Sequence, residues 1–352
     1  MRESLTSSLR ANIGSCAVIG AVVTALAGAF AATAGWLSPG RLTPTKIVDA
    51  LAPAGGPALG HRRNHAKGIC FTGVFESNGR GAAYSRATVF APGAFAALGR
   101  FNLGTADPNA PDATVRVRGL GLQITAADGA VWRSAMIDPP FFPVSTPQAF
   151  YDLLLASRSK DPEAMKAFAA AHPEFKTFGA WAASAPWTAS YAEERYNGLN
   201  AFLFVDASGA ERPVRWSFVP QAPVVPISSQ DLAKLGPDHL EREIAERVAR
   251  APQRWTAQVT LAEPGDATAD PSQAWPATRT TVEIGTLVVQ AIEAEADGPC
   301  REINFDPTVL PDGIRVSDDP FPAARSAAYA RSYDLRTAEA KHYPARAASK
   351  GE

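Results

Sequence analysis

The sequence predicts a β-rich α+β protein: an antiparallel barrel or sandwich interrupted by helices. About eight short stretches alternate apolar and polar residues with the two-residue period of a strand. Gly, Pro, Asn and Asp turns separate them, and only a few segments carry a helical period. With 352 residues, 46% hydrophobic and 20% charged, the chain can build one large core or two small ones. A net charge of -1 offers no polycation for a phosphate backbone, so nucleic acid is not an expected partner.

The elements follow in chain order. A basic head with Arg2 and Arg10 precedes an uncharged run rich in Ala, Gly and Val over 13–37. About 20 apolar residues are enough to span a bilayer. Residues 1–38 are therefore expected to be an export segment, either a signal peptide cut near Ala29, Ala31, Ala32 or Ala34 or an uncleaved anchor. The expected location is periplasmic or exported, with inner-membrane attachment if the segment is kept. The break Ser38-Pro39-Gly40 opens a second domain over 39–352, in which no segment is long enough to span.

In GICFTGVFES, 68–77, Ile69, Phe71, Gly73 and Phe75 alternate with Cys70, Thr72 and Val74, as in a strand. Further strands are expected over 84–90, 114–125, 130–137, 199–206, 213–219, 255–261 and 281–291. Helices are expected over 146–171 and over 229–251, where Ser229 or Asp231 caps and Leu232, Leu235, Leu240, Ile244 and Val248 form a stripe. A last helix over 322–340 brings Arg325, Tyr329 and Arg336 into one narrow sector at about 100° per residue, with Tyr333 beside them. A phenol between two guanidiniums suits either a solvated amphipathic face or a built site.

Of the three cysteines, Cys16 lies in the export segment, and Cys70 and Cys300 match no zinc or redox spacing. Cys70 is expected to be a buried inert thiol, although an exported protein is permitted a Cys70–Cys300 disulfide. The five histidines include no H-E-x-x-H metal helix, and no G-x-S-x-G elbow occurs. RGLGLQI, 118–124, sits in an alternating strand rather than at a helix start. Its glycines therefore mark a bulge or the close approach of something flat, not a phosphate loop.

Four segments then align with one family. RRNHAKG at 62–68, RVRGLGLQI at 116–124, NFDPTVLPDGI at 304–314 and RSAAY at 325–329 resemble, in order and rough spacing, haem catalases. The chain is similar to the catalase-related peroxidases from about residue 41 to Arg346. The resemblance implies a catalase-like eight-stranded antiparallel β-barrel with helical insertions and a C-terminal proximal helix. It also implies haem b (iron protoporphyrin IX), with His65 on its distal face and Tyr329 as the iron ligand.

A free phenol keeps its proton to about pH 10, so an iron-bound tyrosinate calls for a nearby cation, and Arg325 lies one helical turn back. Arg62, Arg100 and Arg336 become the expected partners of the haem propionates, because guanidinium matches carboxylate. Arg118 supports the site from its strand. His65 is the expected acid–base residue, taking a proton from bound peroxide and returning it to the departing oxygen.

Two departures from the family pattern matter. AMIDPPFF puts Ile137 where catalases carry an amide, leaving Asp138 or Asn64 to restore distal polarity. The chain also stops soon after the last helix, so the haem should be less enclosed than in large catalases. Both favour reduction of organic hydroperoxides by an external small-molecule or protein donor, with weak catalase activity. The alternatives are a haem hydroperoxide isomerase of the allene-oxide-synthase kind, or a barrel that binds haem or an apolar ligand without turnover.

Overall fold

The computed structural model describes residues 13–38, 40–53 and 55–343; Arg2, Arg10, Pro39 and Arg346, invoked above, lie outside them. The chain divides into two units, one up to Thr43 and one from Pro44 onward. Helix α1 (Ile13–Thr33) belongs to the first. It is long and apolar enough to cross a membrane, and none of its residues is buried.

The second unit contains α2 (Pro44–Leu51) and eleven strands: β1 (Gly68–Ser77), β2 (Gly93–Leu103), β3 (Arg118–Thr125), β4 (Val131–Ile137), β5 (Trp187–Thr188), β6 (Tyr196–Val205), β7 (Glu211–Pro220), β8 (Pro226–Ile227), β9 (Gln253–Leu261), β10 (Thr281–Glu293) and β11 (Ile314–Val316). Eight of them run in the order β6-β4-β3-β2-β1-β10-β9-β7, and β7 pairs back onto β6. The pairings are antiparallel throughout. This is the closed eight-stranded barrel that the resemblance implies, and closure removes the exposed edges of an open sheet. β11 adds to β6 outside the ring, and β5 pairs with β8.

Alternation along each strand sorts side chains to the two faces of the wall. Phe71 and Phe75 of β1, Phe101 of β2, Trp132 of β4, Trp216 of β7 and Trp255 of β9 fill the interior. Their neighbours Cys70, Arg100 and Ala135 point the other way, toward the segments that follow β10. Cys70 there joins Cys300 and Phe305 in a small separate cluster.

Helices α3 (Pro147–Arg158) and α4 (Ala164–Ala171) replace the single helix expected over 146–171, and a helix not expected there, α5 (Phe175–Ser184), follows them. Thr146 caps α3 by accepting the N–H of Ala149 at 3.1 Å. Pro162 breaks the run, and Ser159 and Asp161 turn the chain by accepting backbone N–H groups two residues on. The helix expected over 229–251 is likewise two, α6 (Ser229–Lys234) and α7 (His239–Arg250), separated at Gly236, which has φ 105°, and Pro237. Its cap is Ser228 rather than Ser229 or Asp231. Helix α8 (Phe321–Ala338) is the expected last helix, and α2 packs on it.

Two further expectations are corrected. Residues 84–90 are not a strand: the hydroxyl of Ser85 donates to the carbonyl of Gly313 and accepts the N–H of Ala87, which bends the segment into short 3-10 turns. The strand is β2 instead. Cys70 is no inert thiol, because it forms a disulfide with Cys300, with Cα atoms 5.4 Å apart and both residues fully buried.

Candidate active site

The face of β2–β4 turned away from the barrel interior, the loop before β1, and helices α2, α3 and α8 enclose one cavity. Counting its open mouth, it holds about 1690 Å³ of atom-free space. Val48, Leu120, Phe142, Phe150, Leu199 and Phe305 make most of its wall apolar. Against that wall it gathers His65, Tyr329, Arg325, Arg62, Arg100 and Arg336, as well as Asn64 and Ile137. Of the expected site residues only Arg118 does not line it. Its guanidinium is buried among Thr188 and Glu194, bonding Glu194 Oε1 at 2.6 Å.

His65 has φ 54°, the left-handed region, and is the sole non-glycine residue there among the described residues. Three contacts hold it. Asn64 Oδ1 accepts its N–H at 2.9 Å, and Arg100 donates to its carbonyl at 2.7 Å and to that of Ala66 at 3.0 Å. The third, Asn102 Oδ1, lies 2.7 Å from His65 Nδ1.

The tautomer follows from this contact. Asn102 Nδ2 donates to the carbonyl of Arg100 at 3.2 Å, so the amide oxygen faces the ring. Nδ1 must carry the proton, and Nε2 keeps its lone pair. Burial lowers the imidazole pKa to about 4; the Asn102 contact opposes the shift, and Arg100, Arg325 and Arg62 add to it. The ring is therefore a neutral base at physiological pH.

Tyr329 stands on α8 one turn after Arg325, whose Nη2 donates to its hydroxyl at 3.0 Å. Arg325 is itself fixed, donating to Asn200 Oδ1 at 2.7 Å and to the carbonyl of Ala135 at 2.8 Å. Asn200, at a register irregularity between Gly198 and Phe202, donates in turn to Asp319 Oδ2 at 2.8 Å. The face predicted from helical periodicity is thus a built site.

Arg62, Arg100 and Arg336 gather around one buried carboxylate, Glu295. Arg100 meets it at 2.6 Å and Arg62 at 3.2 Å. Arg62 also donates to the carbonyls of Cys300 and Ile303, and Arg336 to that of Arg301 at 2.5 Å, so the segment tied down by the disulfide supplies the cradle. Those two guanidiniums lie below their ordinary pKa because of burial, Arg62 at about 10.

These residues fit a haem. Three guanidiniums cluster at one part of an otherwise apolar cavity with a single carboxylate that pairs with two of them, and the buried Nε of Arg100 has no partner among the described residues. Two propionates would answer that excess of positive charge. The phenol of Tyr329 is of the donor type that binds ferric iron.

Asp138 does not restore distal polarity. Its carboxylate accepts the N–H of Arg118 at 2.8 Å and pairs with Arg116 at 3.1 Å, away from the cavity, and burial with Glu194 nearby raises its pKa to about 7. Asn102, Asn200 and Glu295 are site residues that sequence reading missed. Each reaches the site from a distant strand or loop, and none carries a local motif.

The comparisons agree with this geometry. A family model described as catalase matches residues 31–344. A catalase-related peroxidase of Synechococcus elongatus is 38% identical over 312 residues, 87% of this chain and 92% of that protein. Another, from Mycolicibacterium paratuberculosis, is 34% identical over 305 residues, 85% of this chain and 96% of that protein. Among solved structures, that of a bacterial catalase superposes with a TM-score of 0.70 at 19% identity. The match covers 78% of this chain and 57% of that one. With the matching barrel, the cavity and these relatives in place, the chain belongs to the catalase family.

Proposed function

We propose that the protein is a haem b-dependent peroxidase that reduces organic hydroperoxides, and more slowly hydrogen peroxide, using an external small-molecule or protein reductant. One observation carries the reading: a single cavity joins a neutral histidine base, an arginine-backed tyrosine and three clustered arginines. Tyr329 would hold the iron, and Arg62, Arg100 and Arg336 the propionates. Haem, when bound, supplies the redox chemistry that breaks the O–O bond.

The chain's own residues manage the proton. Asn102 keeps Nδ1–H on the far side of the His65 ring, so Nε2 takes the proton of an incoming hydroperoxide and passes it to the departing oxygen. Ile137 and the phenylalanines favour a substrate with an apolar group. The names of the two relatives support peroxidase chemistry. Export through α1 completes the reading.

The test is an absorption spectrum of the purified protein before and after peroxide, followed by turnover with and without a reductant dye. A Soret band that responds to peroxide, with reductant-dependent turnover exceeding oxygen release, is the expected result. Oxygen release that dominates at all peroxide concentrations refutes the peroxidase assignment.

A further inference from the structure

The geometry points to Asn64 as a distal hydrogen-bond donor, placed on the loop beside His65 instead of on the strand wall, where Ile137 now sits. This deepens the haem peroxidase reading and rests on it. Asn64 is half-buried and lines the cavity. Its Oδ1 accepts the N–H of His65 at 2.9 Å, and because an N–H can be met only by the amide oxygen, the two ends of the side chain are identified. Nδ2 is left with no acceptor on any described residue. An unpaired amide donor at a cavity wall is completed by whatever fills the cavity.

The amides around it are committed elsewhere. Asn102 serves His65 and Arg100, Asn197 donates to the carbonyls of Asp138 and Pro139, and Asn200 donates to Asp319. Asn304 also lines the cavity with an amide unbonded among the described residues, from the loop leading to α8, but of the two only Asn64 is bonded to His65 itself. Asn64 is the donor next to the base.

A hydroperoxide needs both kinds of partner, an acceptor for its proton and a donor for its oxygen. His65 Nε2 and Asn64 Nδ2 provide them from adjacent residues. The opposite consequence concerns the wall: with the donor on the loop, Ile137 stays apolar and takes the alkyl part of the substrate. The same relocation thus keeps the peroxide oriented and selects for organic hydroperoxides.

The test uses the ferric holoprotein with two probes. Fluoride, bound as an anion, reports hydrogen-bond donors; cyanide, arriving as hydrogen cyanide, associates only as fast as a base takes its proton. In Asn64→Leu, fluoride affinity is expected to fall by about tenfold or more, as for loss of a hydrogen bond to a charged acceptor, and by a larger factor than the cyanide association rate, because Arg100 and Asn102 still hold His65. Asn64→Ala is read in the same way should the leucine variant fail to load haem. Unchanged fluoride affinity overturns the inference. So does a parallel fall in both measurements, because Asn64 would then only hold the His65 backbone. A wild-type protein that takes no haem, or gives no response to cyanide, overturns the underlying haem reading instead.

Discussion

Removing the Cys70–Cys300 bridge gives the sharpest test of how the arginine cradle is held. The bridge joins positions 230 residues apart, β1 to the segment after β10. Closing a loop of that length removes about 18 cal/mol/K of entropy from the unfolded chain, or about 5 kcal/mol at 25 °C, before any native-state relaxation. The pair Cys70→Ala and Cys300→Ala avoids burying hydroxyls at two fully buried positions. We expect the doubly substituted protein to lose about 3–5 kcal/mol in urea unfolding, read as a lower midpoint with a steeper slope, because the unbridged unfolded chain is less compact. Haem should also leave it faster, because the carbonyls of Cys300, Arg301 and Ile303 orient Arg62 and Arg336. A loss of less than about 1 kcal/mol would show that the segment is held without the bridge, and the reasoning would fail.

Other expectations are independent of the bridge. Glu295→Gln leaves Arg62 and Arg100 without their carboxylate and should cost about 3 kcal/mol in the haem-free protein, measured by urea unfolding; an effect near zero would mean the cluster is already solvated. Tyr329→Phe should abolish stable haem uptake or replace the ferric-tyrosinate spectrum, checked by absorbance on reconstitution. Because His65 is lowered to about 4, cyanide association should be flat from pH 8 to pH 5 and decline only as pH falls through about 4. The same shift has a stability sign: the unfolded imidazole takes up a proton below about 6.5 that the folded one refuses, so stability falls as pH drops from that value toward 4. His65→Ala should keep haem and lose peroxide activation, followed by stopped-flow absorbance.

Much of this was legible in the sequence, for identifiable reasons. Seven of the eight barrel strands announce themselves by alternation. β2 did not, because GAFAALGRFNL is rich in alanine and glycine, which have low strand preference, and its pairing with β1 and β3 supplies what propensity lacks. The stretch 84–90 misled in the opposite direction: its strand-like residues are turned by a serine that bonds a segment 228 residues away. His65 and Arg62, and Tyr329 and Arg325, sit in local motifs and could be found; Arg336 followed from the helical face, and Arg100 only from the family resemblance. Asn102, Asn200 and Glu295 act only once the barrel and α8 have brought distant backbone together. The cysteine pairing was hidden for the same reason, since spacing along the chain says nothing about two positions that fold to a Cα separation of 5.4 Å.

The glycine opposite Asn102 ties the history of two positions together. Gly119 of β3 is the cross-strand partner of Asn102, and a β-carbon at 119 would collide with the very amide oxygen that fixes the His65 tautomer. Gly119 therefore cannot gain a side chain while Asn102 keeps its place. Where a relative carries a side chain at the position of Gly119, the residue opposite should have shrunk to serine, alanine or glycine, and the histidine should have found another acceptor for its Nδ1 proton. The dependence runs one way: a side chain at 119 demands a smaller residue at 102, so a position with no side chain guards the tautomer of the base.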